Sequence, residues 1–277
     1  MERHPLIARA ILAAGTFLAA AAPPAFAQEF MSPYDQTLTV SLGGIVNRFD
    51  TSLRLDGESR NGSDFTLENN GLKKNSSSFE AAGTWRVARA HRLDLEYWTA
   101  KRSGSRTYST EIDIGDTTFP VGANVGISAK DSMASFDYRW SFSQSPESEW
   151  ATVIGFYGGK FTFDVNAVGL NTSSGITYNK TVSTTLPLPL IGVSWDWYPD
   201  KQWQVTAVLQ GMKAKVGDVN GHDYQFTGAL EYQLMRNFGI GARYQYNDLG
   251  ADVSKDDFHG NLSWKTNAVS LYGKFVF

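Results

Sequence analysis

Residues 223–234 read DYQFTGALEYQL, and residues 238–247 read FGIGARYQYN. In the first stretch every even position is apolar or glycine, whereas the odd positions are mostly polar. The second stretch repeats this pattern, with Phe238, Ile240 and Tyr244 in the even set. Successive side chains of a β-strand point to opposite faces, so both stretches predict strands with one apolar and one polar face.

Alternation of this kind recurs along the chain from residue 36 onward. A soluble β-sandwich or a lipocalin-like barrel also alternates, so the pattern alone does not indicate a membrane. The length of the runs separates the classes, because several reach ten residues or more. A tilted strand needs about 9–11 residues to cross the hydrocarbon of a bilayer, whereas soluble strands average about 5–6. The runs therefore favour a transmembrane β-barrel.

The tryptophans support this prediction. Six of the eight lie within a few residues of three short connectors near 87–91, 143–149 and 199–201: Trp85, Trp140, Trp150, Trp195, Trp197 and Trp203. Indole rings prefer the boundary between headgroups and hydrocarbon. The clustering predicts an aromatic girdle along one rim of the barrel.

Connector lengths predict the topology. Short connectors lie near 87–91, 143–149, 199–201 and 235–237, and mostly longer ones rich in Gly, Ser, Asn and Asp lie near 56–75, 103–126, 169–183, 217–221 and 249–260. Outer-membrane barrels have short periplasmic turns, long extracellular loops and an even number of strands. The sequence thus predicts an all-β fold, a transmembrane antiparallel up-and-down β-barrel of about ten strands with both termini in the periplasm.

The expected strands follow from these connectors. Upward strands are predicted at 36–50, 90–101, 149–164, 202–213 and 238–248, and downward strands at 76–86, 127–142, 186–198, 223–234 and 263–277. Residues 108–114 also alternate, and we interpret them as an extension above the membrane. A barrel of eight or twelve strands stays open as an alternative.

Composition and the N-terminus predict the compartment. Residues 1–27 combine an Arg-containing start, an apolar stretch over 10–22 and a small-x-small site ending at Ala27, which predicts a signal peptide followed by a barrel over 28–277. The absence of cysteine excludes disulfides and thiol chemistry. A net charge of −3 with scattered bases gives no support for nucleic-acid binding.

The C-terminal strand carries a resemblance to a known class. Apolar side chains share one face up to the terminal aromatic residue: Val269, Leu271, Phe275 and Phe277. This ending resembles the assembly signal of Gram-negative outer-membrane proteins, and the whole mature chain resembles small barrels typified by OmpX, OmpW and the OmpA transmembrane domain. The resemblance implies an outer-membrane location and recognition by the barrel-assembly machinery after escort by periplasmic chaperones.

Charged residues on the polar faces are expected to point into the lumen. They comprise six acids and five bases: Glu80, Arg86, Arg92, Asp94, Glu96, Asp137, Arg139, Asp196, Glu231, Arg243 and Lys274. A small barrel encloses little more than its own side chains, so opposite charges there can form an internal ion network. Charged rings also select ions in channels, so a narrow conducting lumen is the alternative.

Catalytic and metal motifs find little support. The spacing of His259 and Ser263 places them on one strand face about 13 Å apart, too far for a nucleophile and its base, and His91 and His222 lack a catalytic pattern. We predict no enzyme, metal site or cofactor. Acids in segments 56–75 and 249–260, Glu68 among them, are solvated loop residues or meet divalent cations that bridge lipopolysaccharide.

Three functions remain from the sequence. The first is an integral barrel with a charge-paired lumen and extracellular loops that bind at the surface or maintain the envelope, in contact with outer-membrane lipid and lipopolysaccharide. The second is a narrow porin-like channel for ions or small solutes. The third is a lipid hydrolase at the outer rim.

The terminal aromatic residue provides a test of the class. Phe277→Ala is expected to assemble poorly, because the assembly machinery would no longer find the terminal Phe. The measurement is the heat-modifiable migration of the membrane fraction on a detergent gel. Recovery of the unaltered protein in soluble form from the periplasm would contradict the barrel assignment itself.

Overall fold

A computed structural model describes residues 30–56, 64–69, 71–114, 117–169, 176–255 and 258–277. The predicted signal peptide, residues 1–27, lies outside the described residues. Within the described ranges, no helix combines the length and hydropathy needed to cross a membrane.

Strands make up nearly all of the described chain. In chain order they are β1 (Leu38–Leu55), β2 (Asp64–Thr66), β3 (Asn75–Ala88), β4 (His91–Thr107), β5 (Ile112–Ile114), β6 (Thr117–Phe119), β7 (Asn124–Gln144), β8 (Ser148–Gly169), β9 (Ile176–Trp197), β10 (Trp203–Val216), β11 (Val219–Met235), β12 (Phe238–Lys255) and β13 (Phe258–Val276). A 3-10 turn at Pro33–Asp35 precedes them. Strand β2 pairs with β1, and β5 and β6 form a separate hairpin.

Ten long strands close into a ring. Each pairs antiparallel with its neighbours in the order β1-β3-β4-β7-β8-β9-β10-β11-β12-β13, and β13 returns to β1. That closing pair runs from Thr39 opposite Val276 to Leu55 opposite Gly260. Closure removes both sheet edges, which is the condition for a β-structure to cross a bilayer. The predicted fold class and the count of ten strands are confirmed.

The two ends of the ring differ. Short connectors at 89–90, 145–147, 198–202 and 236–237 lie at the end that also holds residues 30–37 and Phe277, and we call this the turn end. The opposite end carries β2, the β5–β6 hairpin and the remaining connectors, and we call it the loop end.

A belt of apolar side chains surrounds the outer face next to the turn end. It spans residues 38–46, 79–87, 91–97, 134–142, 150–158, 189–197, 203–211, 224–232, 238–246 and 269–277. Phe79 and Leu209 are 62% and 60% exposed, and Leu271 is 58% exposed. Leaving such side chains in water costs about 1.5–3 kcal/mol each, so the belt is a surface for lipid. Five of the six girdle tryptophans are also exposed there.

Beyond the belt the two faces of the wall exchange character. On β8 the outward residues within the belt include Ile154 and Phe156, but the outward residues beyond it begin with Lys160 and Thr162. The inward residue between these last two is Phe161, which is fully buried. No register shift interrupts the pairing of β8 with β9, so the same face stays outward throughout. The apolar side changes because water replaces lipid outside the wall.

A hydrophobic core therefore fills the loop-end half of the lumen. We call this core the apolar plug, and its larger members are Ile45, Phe49, Leu53, Trp98, Met133, Phe161, Phe163, Leu188, Leu190, Leu249, Leu262 and Trp264. Leu67 and Leu72, from the segment that follows β2, add to it. These side chains come from seven strands, so the plug ties distant parts of the ring together.

Trp264 lies at the centre of the plug. Its ring stacks on Trp98 at 6.0 Å between centroids and contacts Phe161 edge-on at 5.5 Å. Phe49 packs against it at 5.9 Å and carries the Arg102 guanidinium 3.8 Å above its ring. Aromatic pairs of this geometry add about 0.5–1.5 kcal/mol beyond the area that they bury.

The connectors predicted at the loop end are shorter in the structure, because the strands extend into them. Strand β4 continues to Thr107, β7 starts at Asn124, β12 continues to Lys255 and β13 starts at Phe258, so much of 103–126 and 249–260 is barrel wall. The same holds for 169–183, where β9 already begins at Ile176. Their outward faces are polar because they meet water, and this composition resembles that of loops.

Removal of the central ring tests the plug. Trp264→Ala is expected to lower the free energy of unfolding by about 3–5 kcal/mol, because it leaves a cavity among apolar side chains. Denaturant unfolding of the refolded barrel in detergent measures this change. The control is Trp203→Ala on the outer face, where detergent fills the space, and an equal loss in both variants would contradict a packed plug.

Candidate functional site

The turn-end half of the lumen is a polar cavity of about 140 Å³. Of the eleven charged residues assigned to the lumen from sequence, ten line this cavity, and Glu80 is held against one of them, Arg243. These eleven residues come from seven strands, and they converge because a period of two keeps each charged side chain on the inward face of its strand.

Ion pairs cross this cavity between strands that are not neighbours. Arg92 on β4 donates to Asp196 on β9 at 2.6 Å, with both side chains buried. Arg243 on β12 donates to Glu80 on β3 at 2.8 Å and to Glu96 on β4 at 2.9 Å. Desolvated pairs of this kind brace the ring from inside, and removing one partner of such a pair costs about 3–5 kcal/mol.

Further pairs complete the network. Arg139 lies 2.6 Å from Asp94, and Lys274 lies 2.5 Å from Glu231. Asp137 accepts a hydrogen bond from the Gln210 amide at 2.8 Å. The lumen charges are thus held by partners in the wall.

Tyr272 shows how tightly this lumen is packed. Its hydroxyl donates to Glu231 at 2.8 Å, and its ring lies over Gly241, where a Cβ atom would overlap it. Arg243 lies 4.9 Å from the centre of the same ring. Glycine at 241 therefore makes room for an aromatic side chain that positions an acid.

Sequence reasoning missed Glu149. This residue is fully buried and forms a bidentate salt bridge with Arg86, with N–O distances of 2.7 and 2.9 Å. Its carboxylate also accepts hydrogen bonds from the hydroxyls of Ser141 and Tyr198. It stands at the start of β8 beside a turn, where a carboxylate is usually solvated. Its parity with the inward residues Ala151 and Val153 was the signal that could have found it. With Glu149, the network holds seven acids and five bases.

Residues 33–36 narrow the mouth of the cavity at the turn end. Tyr34 is buried between Arg86 and Arg89, whose guanidinium carbons lie 5.3 and 5.8 Å from its ring centre. Gln36 donates to Gln233 at 2.8 Å across the mouth. The predicted strand over 36–50 therefore starts two residues later, at Leu38, because the preceding residues fold across the opening.

A second charged cluster lies inside the apolar plug, beyond the belt. Arg102 on β4 donates to Glu68 at 2.6 Å and to Thr51 at 3.2 Å, and lies 3.6 Å from Asp131 on β7. All three charged side chains are buried. Glu68 was expected in a solvated loop that meets cations, and the structure corrects this, because its segment folds inward over the plug and Glu68 also accepts the Thr51 amide at 2.8 Å.

The histidines occupy separate places. His91 begins β4 on the outer face, and its Nδ1 lies within hydrogen-bonding distance of the Tyr138 hydroxyl, at 2.6 Å. His222 lies 4.0 Å from Asp248, and His259 is exposed on β13. Among the described residues, no three His, Asp or Glu side chains are grouped to hold a metal ion.

The four residues of the predicted assembly signal all lie on the lipid-facing side of β13 or at its end. Val269, Leu271, Phe275 and Phe277 are exposed in the belt. Phe238 packs against Phe275 at 5.3 Å. This surface is free for contact with lipid or with an assembly factor.

Comparison with protein-family models gives no match, and comparison with curated proteins gives none either. Solved structures with a similar arrangement include Ail of Yersinia pestis, at 12% identity over 87% of this chain and 99% of that one, TM-score 0.31. The Ralstonia pickettii toluene transporter TbuX is 9% identical over 87% of this chain and 90% of that one, with a TM-score of 0.38. OprG of Pseudomonas aeruginosa is 10% identical over 87% of this chain and 97% of that one, with a TM-score of 0.35.

At these identities and scores the likeness says nothing about activity. The closed ring of ten antiparallel strands and its apolar belt settle the architecture. The chain is a closed, ten-stranded transmembrane β-barrel. Its lumen holds a polar half with a cross-strand ion network and an apolar half with one buried charged cluster.

The buried cluster of this β-barrel predicts a pH dependence of stability. Burial raises the pKa of Asp131 from 3.8 to about 6, against the opposing attraction of Arg102. The folded barrel then binds this proton more tightly than the unfolded chain does. The stability that Asp131 contributes is fully present below about pH 4 and is lost as the pH rises through 6, a change of about 3 kcal/mol.

Asp131→Asn tests this dependence, because the amide cannot ionise. As the pH rises from 4 to 7.5, the unaltered barrel is expected to lose stability that the variant keeps, so the variant becomes more stable relative to it. Denaturant unfolding followed by tryptophan fluorescence measures both. Asp164→Asn, at an exposed acid on the outer wall, is the matched control and should change little. If the free energy of unfolding changed with pH in the same way for Asp131→Asn and the unaltered barrel, burial of the Asp131 charge would not destabilise the fold, and the prediction would be wrong.

Proposed function

We propose that this outer-membrane barrel is closed and acts at the cell surface, where it binds or maintains the envelope rather than passing solutes. The observation that carries the proposal is the apolar plug. Trp98, Met133, Phe161 and Trp264 are at most 4% exposed, and they fill the lumen directly beyond the polar cavity.

The plug opposes conduction for a physical reason. An ion that enters the polar cavity from the turn end meets Tyr157 and Val208, which lie at its inner boundary, and then the side chains of the plug. Hydrophobic constrictions exclude water, and a charge that loses its hydration shell there gains no partner in exchange. The described part of the lumen therefore favours a barrier over a pathway.

The wall beyond the belt supports a role at the surface. Strand β8 has 22 residues, and β9 also has 22, whereas a crossing needs only about 9–11. Outer-membrane barrels place their short turns in the periplasm, so the loop end faces outward and carries a rigid wall above the lipid. A wall braced by the plug presents its side chains in fixed positions, which suits recognition.

One observation favours a narrow channel as the second candidate. Five acids and five bases line the polar cavity, whose mouth lies at residues 33–36, and charged linings of this kind select ions in channels. Passage by this route requires the plug to move aside, and the stacking of Trp98 on Trp264 opposes such movement.

Single-channel recording in a planar bilayer separates the two candidates. The purified barrel is expected to give no stable conductance steps. The positive control is the double variant Phe161→Ala with Trp264→Ala, which removes two large side chains from the plug. It should give conductance steps when it inserts in the same orientation, which shows that the assay can detect an open lumen. Heat-modifiable migration confirms that both proteins are folded. Reproducible steps from the unaltered barrel would overturn the closed-barrel proposal in favour of the channel.

A further inference from the structure

Three lysines lie side by side on the outer wall, just beyond the belt. Lys101 on β4 is directly opposite Lys130 on β7. Lys160 on β8 is opposite Ser132, the next outward residue of β7 toward the belt. All three lysines are exposed. We call them the lysine patch.

The lysine patch is unfavourable for the barrel alone. Like charges directly opposite each other on neighbouring strands destabilise a sheet, because their Cβ atoms are only about 4.5–5.5 Å apart. Among the described residues, none of the three lysines forms an ion pair. The nearest acid on the outer faces of β4, β7 and β8 is Asp164, a diagonal neighbour of Lys130 across the β7–β8 pair, and it accepts a hydrogen bond from Thr181 at 2.6 Å instead of pairing with a lysine.

The opposite side of the barrel balances its charges. Lys265 on β13 is paired in register with Asp50 on β1 and Asp248 on β12, and its Nζ lies 2.9 Å from an Asp248 oxygen. On this side of the wall, the charge of the lysine is neutralised by acids on both neighbouring strands. The lysine patch lacks this compensation, so an anion from outside the chain is the natural partner.

The height of the lysine patch identifies the kind of anion. Lys160 is the first outward residue beyond Gly158, the last belt position of β8, and Lys101 and Lys130 are the second outward residues beyond the belt on their strands. Two residues advance a strand by about 6.6 Å, so the three amines lie at the level of lipid headgroups. A soluble anion would not need this position next to the hydrocarbon.

We propose that the lysine patch binds the phosphate groups of lipid A, the lipid anchor of lipopolysaccharide in the outer leaflet. Its two phosphates on one disaccharide match neighbouring amines, while its acyl chains lie against the belt below. The inference rests on the outward orientation in the proposed function, and it names a ligand for that surface. Lys213 and Lys215 on β10 extend the basic side past β9, whose outward Ser183 and Thr185 are neutral.

A pair of double variants tests the proposal. The full barrel in detergent is titrated with diphosphoryl lipid A, and native mass spectrometry gives the dissociation constant. Lys130→Gln with Lys160→Gln is expected to weaken binding by roughly tenfold or more, since each lysine near an anionic headgroup contributes about 1 kcal/mol. The same variant should unfold at no lower denaturant concentration, because it relieves the repulsion with Lys101.

The matched control is Arg48→Gln with Lys265→Gln, which removes two outward bases at the same heights on the opposite side. Its dissociation constant should stay within about twofold of the unaltered value, a difference of about 0.4 kcal/mol. Equal weakening in both double variants, unchanged binding in the lysine variant, or equally tight binding of dephosphorylated lipid A or of phosphatidylglycerol would each overturn the proposal.

This outcome is independent of conductance. A barrel that is silent in the bilayer but loses no lipid A affinity on substitution of Lys130 and Lys160 retains the proposed function and loses only this inference. A barrel that conducts but binds lipid A through these lysines loses the closed-barrel proposal and retains this inference.

Discussion

Each strand of this barrel passes from lipid into water, and the rest of the structure depends on that change of solvent. A strand keeps the same residues outward along its whole length because its side-chain period is two. Where lipid is outside, the apolar residues must point out, and where water is outside, they must point in. Ile154 and Phe161 on β8 show the two halves of this requirement within eight residues of one strand.

The two halves of the lumen follow from this exchange. In the belt, the inward face receives the charged and polar residues, and the burial of these charges favours pairing, as in Arg92 with Asp196. Beyond the belt, the inward face receives the apolar residues, which pack around Trp264 as in a soluble protein. The side chains that fill the loop-end half of the lumen come from the wall itself and from the segment that follows β2.

The outer wall shows where the fold does not account for the sequence. Lys265 has acids on both neighbouring strands, whereas Lys101 faces Lys130. Packing and pairing explain the first arrangement, because opposite charges across strands are favourable. They do not explain the second, and this contrast points to a ligand at the level of the outer headgroups.

The architecture could be read from local patterns in the chain. Period-two alternation, strand length and the tryptophans beside short turns are properties of single segments, and they were sufficient for the barrel, the ten strands and the inward face of the charged residues. Other features arise only when the ring closes. Arg92 and Asp196 are 104 positions apart in sequence and meet across the lumen. Glu149 on β8 is held by Arg86 on β3, 63 positions earlier. Glu68 enters the plug from a segment that reads as a loop. Closure decided these contacts, because the strands that make them are not neighbours in the sequence or in the sheet.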